Sequence, residues 1–77
     1  MTYEQLIGEL KALHSDIDFE NETALIDDGL LDSFDVVTLV AQISGEYDIR
    51  IPASKLVPEN FNSAKALYAL ICEIEDE

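Results

Sequence analysis

One cysteine and one histidine occur in 77 residues, and four basic side chains stand against seventeen acidic ones. The single thiol, Cys72, excludes an internal disulfide, and no cysteine–histidine pairing or zinc-type spacing is present. No stretch approaches the roughly 20 apolar residues that a membrane span requires. The opening MTYEQLIGEL also lacks the basic flank of a signal peptide. These absences lead to the expectation of a reducing, cytoplasmic setting with no membrane insertion. A formal charge of −13 repels phosphate backbones and anionic headgroups, which sets aside nucleic-acid and membrane-surface roles. The charge leaves three readings open: a partner with Arg/Lys patches, a bound cation, or solubility alone.

What is present is enough for one core. Apolar residues make up 48% of the chain, and neither a repeat nor a linker divides it. Residues 1–77 are therefore expected to form a single domain, of a size that buries roughly 60% of its unfolded surface. Thr2 and Gln5 make a capping-box pattern, and Leu6, Ile7, Leu10 and Leu13 follow at helical spacing, so a first helix is expected over about Thr2 to His14. From Ser15 to Leu31 turn formers alternate with the anchors Ile17, Phe19, Leu25, Ile26, Leu30 and Leu31, a loop long enough to suggest function. Asp32 or Ser33 caps a second helix to about Tyr47, with Val36, Val40, Ile43 and Tyr47 as its buried stripe. Ile49, Ile51 and Pro52 read as an extended exit, and Ala53 to Asn60 leaves room for one short helical turn. Asn62 or Ser63 caps a last helix to about Ile74, whose inner face is Ala64, Leu67, Ile71 and Ile74. Glu73, Glu75, Asp76 and Glu77 oppose the dipole at its end, so fraying is expected there. The fold class is all-α: a small bundle of three main helices plus one short helix, with a long loop between the first two.

The stretch DDGLLDSFDVVTLV, Asp27 to Val40, carries the one arresting feature: a serine between acids where the loop becomes a helix. Nucleophilic catalysis by Ser33 needs a base, and His14, the only histidine, suits a helix-end or surface role better. With no phosphate loop and too thin a bundle for a deep polar cleft, the chain is not expected to be an enzyme. DIDFENETALID imitates a calcium loop through Asp16, Asp18, Glu20 and Asp27. Asn21 stands where glycine is needed, however, and Asp27 where a bidentate glutamate belongs. An acidic calcium-binding helical module thus remains a rival reading, and no metal site is assigned. Projected at about 100° per residue, Ser33 lies about 60° from Val36 at the core border, and Phe34 about 160° away on the outside. Thr38, Ala41 and Gly45 continue Phe34's ridge, with Asp35 and Glu46 on its flank facing a basic partner. The plainer alternatives also stand: Asp32 or Ser33 as a cap, Asp35 as a dipole partner, and Phe34 folded back onto the loop.

The ordered string Gly29-Leu30-Leu31-Asp32-Ser33-Phe34-Asp35 resembles the attachment motif of acyl carrier proteins, and the likeness extends to the preceding loop, the YDIRIP exit and the closing NSAKALYALI helix. The resemblance implies that Ser33 is esterified by 4′-phosphopantetheine from coenzyme A, whose thiol holds an acyl group as a thioester. It further implies recognition roles for Asp32, Phe34, Asp35 and Thr38, and cargo contacts for Val36, Val37 and Val40. Implied partners are a phosphopantetheinyl transferase, a loading ligase and acyl-accepting enzymes with basic patches, meeting a monomer. Thr38, Gln42, Ser44, Ala53 and Lys55 replace the acids usual in fatty-acid carriers, and DGLLDS lacks the glycine pair of peptide-synthetase carriers. The wording is closest to D-alanyl and other free-standing carriers, which makes an aminoacyl carrier loaded by a separate adenylate-forming ligase the alternative.

Overall fold

The computed structural model describes residues Met1–Asp76; Glu77, one of the four terminal acids considered above, lies outside the described residues. Helix α1 spans Tyr3–Leu13. Its start is a closed capping box, in which Gln5 N–H donates to Thr2 Oγ1 at 3.1 Å and Thr2 N–H to Gln5 Oε1 at 2.8 Å. Leu6, Ile7 and Leu10 form its buried stripe. After the long loop comes α2, Ser33–Tyr47, followed by an extended exit in which Ile49 and Ile51 are buried. The segment expected to hold one helical turn holds two: a 3-10 turn over Ala53–Lys55 and a short helix α3, Pro58–Phe61. Pro58 separates them, since a proline disfavours helical backbone at the residue before it, and Val57 is extended. Helix α4, Ala64–Glu75, is capped by Ser63, whose Oγ accepts from Ala66 N–H at 3.0 Å.

Helix α1 packs against both α2 and α4, and α3 packs against α4. The loop adds Phe19, Leu25 and Leu31 to the core, each almost wholly covered. Fully burying side chains of this kind stabilises by about 1.5–3 kcal/mol each, which holds the loop across the helices. Leu30, expected among these anchors, is exposed instead. On α2 the stripe is rotated from its expected position: Leu39 and Ile43 are fully buried, while Val36, Val40 and Tyr47 are only half-buried. Leu39 and Ile43 join the core formed with α1 and α4 residues, whereas Val36 borders an open cleft. On α4 Leu70 joins Ala64, Leu67 and Ile71 inside, and Ile74 is half-buried. The α4 terminus stays helical through Glu75, whose carboxylate takes the Met1 ammonium at 3.0 Å; that neutralises one of the acids set against the dipole.

Candidate functional site

The site begins with the turn that delivers Ser33. Gly29 adopts φ 74°, a left-handed conformation that costs glycine least. Leu31 N–H closes the turn on Leu25 O at 2.9 Å. Asp32 then caps α2: its Oδ1 accepts from Asp35 N–H at 2.9 Å, and Asp35 Oδ2 accepts from Asp32 N–H at 3.2 Å. The cap is therefore Asp32, and Ser33 is the first helical residue, exposed, with a hydroxyl that capping does not require. Val36 N–H already serves Asp32 O, so the Ser33 and Phe34 amides at the positive end of the helix dipole remain available to an anion.

A polar contact joins this end of α2 to the end of α1. His14 Nε2, just past α1, sits 3.0 Å from Asp35 Oδ2, within ion-pair reach although not aligned for a hydrogen bond. Burial pushes the Asp35 carboxyl up, but His14 and the Asp32 backbone N–H outweigh it and hold Asp35 below its ordinary value. At the far end of α2, hydrogen bonding of protonated Glu9 to the Glu46 carboxylate, partial burial and the Glu46 charge raise Glu9.

Beside Ser33 opens a cleft of about 310 Å3. Val36 and Val37 of α2 form one wall, Leu56, Val57, Pro58 and Phe61 the other, and Ile26 of the loop completes it. Apart from Ser33 the lining is apolar. The family resemblance pointed to Val36, Val37 and Val40; Val36 and Val37 line the cleft and Val40 does not, while the opposite wall went unmarked because Leu56 to Pro58 show no helical periodicity.

The other singled-out residues fall as follows. Phe34 is 76% exposed, so it does not fold back onto the loop, and Val37 is exposed at 61%. Thr38 lies on the same side, but its hydroxyl donates to Phe34 O at 2.9 Å within the helix. Asp35 is turned to His14 and Asp32 instead of standing free on the outer flank. The calcium-loop acids do not converge: Asp18 accepts from Asn21 and Asp27 from Asn62. Among the described residues no group of three or more His, Cys, Asp or Glu is placed to hold a metal ion.

A serine thus stands exposed on a helix N-terminus, bordered by acids and an apolar cleft on a four-helix scaffold. The chain belongs to the phosphopantetheine attachment site family, whose profile matches residues 4–71. It is 34% identical over 53 residues to the D-alanyl carrier protein of Lactococcus lactis subsp. lactis (strain IL1403), spanning 69% of this chain and 67% of the relative. The D-alanyl carrier protein of Lactococcus lactis subsp. cremoris (strain MG1363) matches with the same identity and coverage. The protein is thus a carrier with covalently attached 4′-phosphopantetheine, which holds acyl cargo as a thioester and performs no catalysis itself. Such carriers work with phosphopantetheinyl transferases and ligases. No described helix is long and apolar enough to cross a membrane.

The residues present fit the group. A phosphodiester at Ser33 would meet the free amides and dipole of α2, and the cleft offers an apolar surface within reach of a tethered chain. When attached, the arm supplies the thiol that carries the cargo.

Proposed function

We propose that Ser33 is the attachment residue and that the chain is a free-standing, monomeric carrier working in the cytoplasm. The observation that carries this reading is the division of labour at the start of α2: Asp32 caps the helix, and the Ser33 hydroxyl stands exposed at the edge of the cleft. Ser15, Ser44, Ser54 and Ser63 lack the motif, and Ser63 is occupied in capping α4. Phe34 and Asp32 form the face a partner meets first, with Thr38 at its border. Asp35 contributes by holding that face in shape. Exposed carboxylates around Ser33 steer enzymes with basic patches, which speeds encounters more than it tightens them. A transferase, a loading ligase and acyl-accepting enzymes are the partners of this cycle. A lone exposed thiol, Cys72, goes with a reducing compartment.

Two cargo classes follow from different observations. The apolar lining, with no carboxylate to receive an ammonium, favours an acyl chain. The likeness to D-alanyl carrier proteins favours an aminoacyl group loaded by an adenylate-forming ligase. Incubation with coenzyme A and a broad-specificity transferase tests the attachment: intact-protein mass spectrometry should show one phosphopantetheine addition, absent in Ser33→Ala. An addition that persists in Ser33→Ala would move the site elsewhere.

A further inference from the structure

The wall of the cleft opposite α2 is fastened by one residue. Asn62, at the end of α3, accepts with its side-chain Oδ1 from Ile26 N–H at 3.0 Å and from Asp27 N–H at 3.1 Å. Its backbone oxygen accepts from Leu25 N–H at 2.9 Å, and its Nδ2 donates to Asp27 Oδ2 at 3.2 Å. Three consecutive backbone donors of the loop are thus satisfied by a single residue far away in sequence. Capping of α4 does not explain Asn62, because Ser63 performs it.

The placement of this latch ties it to the site. Ile26, whose N–H it holds, and Phe61, its chain neighbour, both line the cleft beside Ser33. Helix α3 packs on α4, while α1 bridges α2 and α4, so α3 and α2 face each other across the cleft. The same loop closes through Leu31 N–H on Leu25 O, two residues before Ser33. Asn62 therefore links the α3 wall to the backbone that delivers the serine. Moving that wall outward means breaking these hydrogen bonds or dragging the loop along.

We infer that Asn62 is a positioning residue: its latch sets how far the cleft beside Ser33 opens, and through that opening which acyl chains the carrier shelters. This rests on Ser33 as the attachment residue. An apolar chain tethered at Ser33 samples the cleft at high effective concentration, so burial of its methylenes competes well with solvent. The width of the cleft then decides how much of the chain is covered.

The test uses the whole chain with its arm. Asn62→Asp keeps the acceptor for Ile26 and Asp27 but sets two carboxylates against each other. The exchange of both residues, Asp27→Asn with Asn62→Asp, restores a donor between them at unchanged net charge. Each protein is loaded with acetyl- and octanoyl-phosphopantetheine; intact mass confirms one arm, and Ser33→Ala is the control. Cleavage of the thioester by hydroxylamine is then timed. In the parent chain octanoyl should be cleaved severalfold more slowly than acetyl. Asn62→Asp should bring the two rates together, and the exchanged pair should separate them again. Far-UV circular dichroism checks folding, and Asn62→Ser replaces Asn62→Asp if the latter unfolds. Equal rates in the parent chain, an unaltered ratio in a folded Asn62 variant, or no recovery in the exchanged pair would overturn the assignment. Failure of the Ser33 reading shows itself earlier, as a missing arm or one that persists in Ser33→Ala.

Discussion

Ser33, the proposed attachment residue, and Asp32 are neighbours with different duties. A carboxylate beside an incoming phosphodiester is unfavourable by charge alone, yet Asp32 here accepts the Asp35 N–H and starts the helix. Loss of such a cap costs about 1 kcal/mol, which gives the acid a structural reason to be there. Phe34 has no such duty. At 76% exposure it contributes little to folding and presents a large apolar surface next to the serine. Phe34→Ala should change stability by less than about 1 kcal/mol while raising the transferase's KM severalfold. Chemical denaturation and modification kinetics check the two halves separately. A large loss of stability would make Phe34 a core residue, and unchanged kinetics would remove it from the docking face.

At the scale of elements, α1 and α2 meet through a buried stripe and two polar contacts with opposite pH behaviour. Glu9 is raised by its hydrogen bond with Glu46, by partial burial and by the Glu46 charge, so the fold favours its protonated form. Its stabilising contribution is complete below the ordinary value of 4.5 and is lost as pH rises through the folded value. Glu9→Gln keeps a neutral partner for Glu46. It should raise Tm at pH 7, with the gain vanishing below about pH 4.5, as melting curves across pH will show. Equal Tm at both pH values would mean that the two carboxyl groups do not meet. Asp35 runs the other way. Its carboxyl is held below the ordinary 3.8, so its contribution is present above that value and lost as pH falls through the folded one.

For the whole molecule the ruling quantity is the charge of −13. Such a surface attracts basic enzymes over distance, and exposed charges are screened once the Debye length falls below their separation. Raising NaCl from about 0.1 to about 1 M shortens that length from about 10 to about 3 Å, so kcat/KM for modification should fall steeply. Steady-state kinetics against salt measures it. A flat profile would leave docking to Phe34, Val37 and the apolar rim. The overall shape, 31 × 23 × 19 Å, puts every element near the surface, so nearly all acids act in solvent.

The three long helices, their N-caps and the exposed serine were legible in the chain, because capping boxes and helical spacing are local properties. Thr2, Gln5 and Asp32 cap where local rules place them, and the family match covers the motif they frame. Packing settled the rest. Packing of the common core took in Leu39 and left Val36 at a cleft. Leu56 to Phe61 became the opposite wall through contacts that have no periodicity to read. Asn62, one of two adjacent candidate caps, reached back to the Ile26 amide across a gap in sequence that no local pattern spans. Distant pairings of this kind are fixed by where the chain folds back on itself, and that is a property of the packed core, not of any one segment.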